Sequence, residues 1–354
     1  MTMAVNLAET PVPVIDLDRV EHNLTKMQAY CDLHGLALRP HIKTHKVPAF
    51  AHRQLALGAV GITCQKLGEA EVMVAAGIDD ILVSYPLIGP AKALRLAQLA
   101  RLAHMRVAID NHVALETVAM AAAEAGAEIG ILIEFDSGAG RTGVVGTEEL
   151  VVLAQRAASS PGLRFDGLMT YPIMPGTSPF ITSAKTALKA VNLSPSIISG
   201  GGTPNAWHAH ETPGLTELRV GTYIYHDRAT VGYGSANLED CALHVHATVI
   251  SRPTLDRAIL DCGTKSLTSD PLPPAFGRGF GLILEYPDAI IERLNEEHGM
   301  VDLSACALRP QIGEKVRILP NHVCVVSNLH DRVLATRGGM VVDTLTISAR
   351  GLTT

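Results

Sequence analysis

Aromatic residues are scarce: phenylalanine, tyrosine and tryptophan make up 4% of the 354 residues, and there is a single tryptophan. So few ring faces exclude a base-stacking platform for nucleic acid. Positive charge is also short, because 29 lysines and arginines against 35 acids leave a formal net charge of −6. That balance argues against a general nucleic-acid binder. Cys31, Cys64, Cys241, Cys262, Cys306 and Cys324 include no Cys-x-x-Cys pair. A chain of this length needs no disulfide staples, so reduced cysteines and a cytoplasmic location are expected. No apolar run is long enough to cross a bilayer, and no basic segment followed by an apolar run marks a signal peptide. What the chain does have is apolar bulk: 47% hydrophobic and 18% charged residues support a large core and exclude extended disorder.

That bulk is laid out as strand and helix in alternation. Val12–Leu17 predicts a strand, with Asp18 capping a helix that carries Val20, Leu24 and Met27 on one face. Leu36-Ala37-Leu38, Val60–Cys64, Asp80–Val83, Val107–Ile109, Ile129–Phe135, Phe165–Met169 and Ile197-Ile198 predict further strands, each followed by a helical or glycine-rich stretch. Their apolar runs suit strands buried on both faces of a parallel sheet. About eight such units predict a (β/α)₈ TIM-like barrel. An open doubly wound sheet is the alternative, but no Gly-x-Gly-x-x-Gly follows the first strand. After Tyr233 the pattern changes to alternating strands at Leu243–Ile250, Ala258–Leu260, Val316–Leu319 and His322–Val326, and to a hairpin around Gly338-Gly339. The expected organisation is a barrel over 10–233 and an antiparallel β domain over 234–354, with residues 1–9 packing against the latter.

In such a barrel the chemistry gathers where the strands end. Arg39-Pro40-His41-Ile42-Lys43-Thr44-His45-Lys46 follows one strand and crowds five basic groups together. Crowded cations favour a neutral amine, which can attack a carbonyl and hold a Schiff base; a solvated basic loop is the plain alternative. Asp136-Ser137-Gly138-Ala139-Gly140-Arg141 and Tyr171 follow later strands. Ser199-Gly200-Gly201-Gly202-Thr203 exposes backbone N–H groups suited to a phosphate, with Gly221, Thr222 and Tyr225 able to add donors; a flexible turn is the alternative. His322 and Cys324 stand two apart, so in a strand they share a face and could grip one ion. Imidazole with thiolate suits zinc or another divalent metal, although an isolated His-x-Cys is more often a buried cysteine beside a polar histidine. A phosphate nest, a Schiff-base lysine and a cation able to face a ring together point to pyridoxal 5′-phosphate.

The motifs collectively resemble the D-threonine aldolase and D-serine dehydratase family of fold type III pyridoxal phosphate enzymes, relatives of bacterial alanine racemase. The resemblance runs over nearly the whole chain. Its marks are Thr10-Pro11, Asp16-Leu17-Asp18, the Arg39–Lys46 stretch, Leu67–Glu71, Asp136–Val144, Ser199–Thr203, Asp261-Cys262-Gly263 and Pro320–Cys324. It implies that Lys43 carries the cofactor, that Arg141 faces the pyridine nitrogen, and that Tyr171 lies near cofactor and substrate. It further implies that Gly201, Gly202, Thr203 and Tyr225 hold the phosphate, and that His322 and Cys324 hold a divalent metal (zinc, manganese or magnesium) binding the substrate's β-hydroxyl. Homodimers with sites completed by the partner's β domain are also implied.

Two features depart from the pattern. Aldolases of the family carry His-x-Asp at the metal and dehydratases His-x-Cys, so Cys324 points to dehydration, whereas Ser327–Asp331 and Ala349-Arg350-Gly351 look like the aldolase branch. The aldolases also place a histidine soon after the tyrosine, and Pro172–Thr177 contains none, which leaves His45 or metal-bound water as the candidate base. The expected activity is a metal-activated lyase on D-3-hydroxy amino acids, giving glycine and an aldehyde. The alternatives are a dehydratase giving a keto acid and ammonia, a racemase without metal, and a non-catalytic pyridoxal phosphate-binding protein.

Overall fold

A computed structural model describes residues 3–354; Met1 and Thr2, part of the N-terminal segment expected to pack with the second half, lie outside the described residues. The chain forms two compact units. One holds Met27–Lys43, Pro48–Gly221 and Leu352–Thr354; the other holds the chain up to Lys26, Thr44–Val47 and Thr222–Gly351. In chain order the first strands are β1 (Met3–Ala4) and β2 (Val12–Asp16), followed by helix α1 (Leu17–His34).

The first unit is the barrel. Its strands are β3 (Ala37–Leu38), β4 (Ile62–Cys64), β5 (Asp80–Val83), β6 (His104–Ile109), β7 (Ile129–Glu134), β8 (Leu163–Met169), β9 (Ile197–Gly201) and β10 (Glu217–Arg219). They pair in parallel in the order β3-β10-β9-β8-β7-β6-β5-β4. A parallel bridge between His41 and Thr63 joins the two ends of the sheet. Helices α2 (Pro48–Leu57), α3 (Leu67–Ala75), α4 (Pro90–Ala100), α5 (His112–Ala125), α6 (Thr147–Ser159) and α7 (Thr177–Ala190) return the chain between strands. Local chemistry sets their ends: Pro90 opens α4, and the Asn111 side chain accepts the Ala114 N–H at 2.9 Å to cap α5, which stops at left-handed Gly126. Leu82, Ala108, Leu132 and Met169 form one buried layer of the interior, with Ile197 against it.

Two strand assignments differ from the sequence reading. Val12–Leu17 was expected to open the barrel, yet β2 lies in the other unit, antiparallel to Leu243–His246 and parallel to Leu334–Thr336. An apolar run followed by a helix announces a strand but not the sheet it joins. The missing barrel strand is β10, which has no apolar signal because two of its three residues are charged. Those charges point inward and are paired. Arg39 Nε donates to Glu217 Oε2 at 2.8 Å, Ser199 Oγ to Glu217 Oε1 at 2.5 Å, and Arg219 to Ser199 Oγ at 2.6 Å and to the Thr170 carbonyl at 2.8 Å. Ion pairs from Arg39 to Asp80 and from Arg106 to Asp80 and Asp166 extend the network under the apolar layer. Buried charges are tolerated in a barrel only when paired in this way.

The second unit is a mixed sheet. After α8 (Arg228–Gly232) come β11 (Leu243–Thr254), β12 (Arg257–Leu260), β13 (Leu282–Ile283), β14 (Ile290–Leu294), β15 (Gly299–Asp302), β16 (Lys315–Leu319), α9 (Val323–Leu329), β17 (Arg332–Arg337) and β18 (Met340–Thr346). The strand order is β1-β18-β17-β2-β11-β12-β15-β14, with β16 joining β11 and β13. Every pairing is antiparallel except β2 with β17, among the described residues. Two of the sequence marks meet here, as Thr10 Oγ1 donates to Asp261 Oδ2 at 2.6 Å. The expected strand His322–Val326 is a helical turn instead. Val323 and Val326, three apart, share its buried face, and the Asp227 carboxylate accepts the Val323 N–H at 3.1 Å, supplying a partner that a helix start otherwise lacks.

Candidate active site

Within the barrel unit the basic stretch leaves β3 and turns through a short 3₁₀ segment, Ile42–Thr44, that carries Lys43. The turn is held by His41, whose Nδ1 accepts the Lys43 N–H at 3.3 Å while its Nε2 lies 3.0 Å from Gln65 Oε1 and 3.3 Å from Ser84 Oγ. Gln65 is set in turn by Glu69 of the Leu67–Glu71 mark, whose carboxylate accepts the Gln65 N–H at 2.6 Å. The Lys43 ammonium lies 5.8 Å from the centroid of the Tyr171 ring. Arg141 lies over the same ring, its Cζ 4.7 Å from the centroid, and reaches Glu134 Oε1 at 3.4 Å. Two cations on one ring make this place electropositive.

The loop that delivers Arg141 is shaped by Asp136. Its Oδ1 accepts the N–H groups of Gly138, Ala139 and Gly140 at 2.9, 2.9 and 3.2 Å. Those bonds, the Gly138 one foremost, hold its carboxyl below the usual carboxylate range. Glu134 is buried, and burial raises its carboxyl against the opposing pull of Thr142, Arg141 and Arg219. Nothing in the sequence pattern singled out Glu134, because it closes a strand whose other residues are apolar or glycine.

The glycine run sits beside this group. The Gly201 carbonyl accepts the Ile173 N–H at 2.9 Å, and a Cβ on Gly201 would come within 2.4 Å of the Arg219 carbonyl, so only glycine fits there. Gly202 has φ 122°, and a side chain on it would begin 3.8 Å from Cε2 of Tyr171. Thr203 is buried and opens the 3₁₀ segment Thr203–Glu211. Gly221 ends this part of the barrel unit. Ser199 is turned into the barrel interior, where its hydroxyl serves Glu217 and Arg219. Burial draws Arg219 down to about 10.

The other unit carries the second set of candidates. His322 stands immediately before α9, in extended backbone, and Cys324 lies in its first turn. The imidazole is pushed up to about 11, chiefly by the charge of Cys324 and with Asp227 adding to it. Its Nδ1 lies 2.9 Å from Asp227 Oδ2. Thr44, next in sequence to Lys43, places its Oγ1 3.2 Å from Cys324 Sγ. Among the described residues, no group of three or more His, Cys, Asp or Glu side chains forms a metal cluster. His45 is fully buried, and its Nδ1 accepts the Val47 N–H at 3.1 Å. The Thr222 carbonyl accepts the N–H groups of Tyr225 and His226, and burial raises the Tyr225 phenol.

Residues 15–229 match the family described as "Alanine racemase, N-terminal domain", and residues 242–336 that described as "Putative serine dehydratase domain". The chain is similar to a D-threonine aldolase of Arthrobacter sp., with 40% identity covering 97% of this chain and 93% of that one. It is similar in structure to the D-threonine aldolase from Filomicrobium marinum, with a TM-score of 0.91 and 33% identity over 100% of this chain and 99% of that one. A cysteine-to-alanine mutant of a D-threo-3-hydroxyaspartate dehydratase, solved in its metal-free form, gives a TM-score of 0.85 and 30% identity, covering 97% of this chain and 98% of that one.

Proposed function

The chain belongs to the D-threonine aldolase and D-serine dehydratase family of fold type III pyridoxal phosphate enzymes, and from that premise we propose that it is a metal-activated lyase cleaving D-3-hydroxy amino acids to glycine and an aldehyde. The observation that carries the reading is the pair of cations, Lys43 and Arg141, gathered on the Tyr171 ring. The residues fit an anionic aromatic cofactor: an amine, a guanidinium and a tyrosine stand beside Gly201, where a Cβ would strike the Arg219 carbonyl, and Gly202, whose φ of 122° disfavours a side chain. Lys43 would hold the cofactor's carbonyl carbon and Arg141 its ring nitrogen, with Gly201, Gly202, Thr203, Gly221, Thr222 and Tyr225 at its phosphate. The donor set of His322 and Cys324 fits a divalent ion, because an imidazole and a thiol as the only two protein ligands leave open positions and Asp227 supports the imidazole.

When bound, pyridoxal phosphate withdraws electrons from the substrate Cα and the metal acts as a Lewis acid at the β-hydroxyl. The protein's own part is orientation. His41 and Glu134 fix the backbone of Lys43 and the guanidinium of Arg141. With no histidine in Pro172–Thr177 and His45 buried, the Tyr171 hydroxyl, on a residue 38% exposed, is the side chain that would pass a proton where water does not. Dehydration to a keto acid and ammonia is the second reading, favoured by the thiol at Cys324. Homodimers in the cytoplasm belong to the same proposal; all six cysteines are free thiols. The test is loss of D-threonine but not L-threonine on incubation with protein, cofactor and manganese, and its suppression by a chelator. Equal consumption of both enantiomers, or none of either, would reject the reading.

A further inference from the structure

We propose that Asp227 is the positioning residue that aims His322 at the metal ion; this rests on the metal-activated reading above. Asp227 is fully buried, yet it lies outside every motif that the sequence pattern marks. Its Oδ2 sits 2.9 Å from His322 Nδ1 and also accepts the Val323 N–H at 3.1 Å. Its Oδ1 accepts the Thr230 N–H at 2.9 Å. A buried carboxylate needs such donors to offset its lost hydration. An ionised carboxylate only accepts, so it keeps a proton on Nδ1 and leaves Nε2 as the nitrogen free for a metal.

Asp227 is itself held against movement. Thr230 Oγ1 accepts the Asp227 N–H at 2.8 Å and donates to the Asp227 carbonyl at 2.9 Å. Just before the histidine the two segments clasp through backbone bonds, Arg228 N–H to the Pro320 carbonyl at 3.1 Å and Ala229 N–H to the Asn321 carbonyl at 3.2 Å. The imidazole is thus fixed from a rigid strut. An amide at 227 presents an NH₂ group on one side, and when that side faces Nδ1 it reverses the tautomer and places a proton on Nε2.

The test is metal affinity of the full-length, cofactor-loaded protein after chelation, titrated with manganese or zinc. Asp227→Asn should weaken binding about 10- to 100-fold, with the cofactor's visible band retained. Asp227→Glu, which keeps an acceptor-only group one carbon further out, should recover part of the loss. Thr230→Val removes the hydroxyl bonds to the Asp227 backbone but leaves both carboxylate oxygens and the backbone bonds beside His322 in place, so it should lose clearly less affinity than Asp227→Asn. Unaltered affinity in Asp227→Asn, or an equal loss in Thr230→Val, would reduce Asp227 to a helix cap and overturn the inference. Should Asp227→Asn fail to fold, Asp227→Glu and Thr230→Val decide by the same comparison. If the unaltered protein binds no metal, the metal reading fails first and takes the inference with it.

Discussion

Arg141 lies over Tyr171, with its Cζ 4.7 Å from the ring centroid, and its Nη2 reaches Glu134 Oε1 at 3.4 Å. Its side chain is 49% exposed, so the fold draws little from it. Arg141→Ala should lower kcat/KM about 10²-fold while changing the unfolding free energy by no more than about 0.5 kcal/mol. Steady-state kinetics beside urea unfolding checks both parts. Intact turnover would remove Arg141 from the site.

Lys43 and Lys46 compete for the Schiff base on sequence grounds, but their surroundings differ. Lys46 is buried, and its ammonium donates to the Ala349 carbonyl at 3.3 Å. Borohydride reduction followed by peptide mapping should find the cofactor on Lys43. Lys43→Ala should form no reducible adduct, and a label on Lys46 would contradict the assignment.

Ser199 belongs to the barrel interior through Glu217 and Arg219. Ser199→Ala leaves both without that partner and should cost about 1–3 kcal/mol of stability, with cofactor affinity unchanged. A loss of phosphate or cofactor affinity without a loss of stability would return Ser199 to the phosphate nest.

Burial draws His244 down to about 3 and His246 to about 4, with nearby arginines adding to it. Both rings stay neutral in the fold, while in the unfolded chain they take up protons near pH 6.5. Their contribution is therefore complete above about pH 6.5 and is lost as the pH falls toward 4, by about 1.4 kcal/mol per pH unit for each ring. Urea midpoints measured from pH 7 to 5 should fall accordingly, and His246→Gln should flatten the slope.

The barrel was legible because its strands are apolar runs with helices between them, as in β7, where all six residues are buried. The Lys43, Arg141 and Tyr171 positions were legible as polar residues at strand ends. What was not legible was polar structure made by distant partners. β10 can bury its charges because Arg39, Ser199 and Thr170 pair them. The helix at Val323 begins with its N–H on Asp227, far away in sequence. Sequence periodicity reports which side chains avoid water, and it is silent about such bonds.

The central claim is carbon–carbon cleavage rather than dehydration. The direct measurement is product analysis after incubating the cofactor-loaded protein with D-threonine, with and without manganese. The account predicts equal amounts of acetaldehyde and glycine that appear only with the metal. A keto acid with ammonia as the main product, or undiminished turnover in chelator, would contradict it.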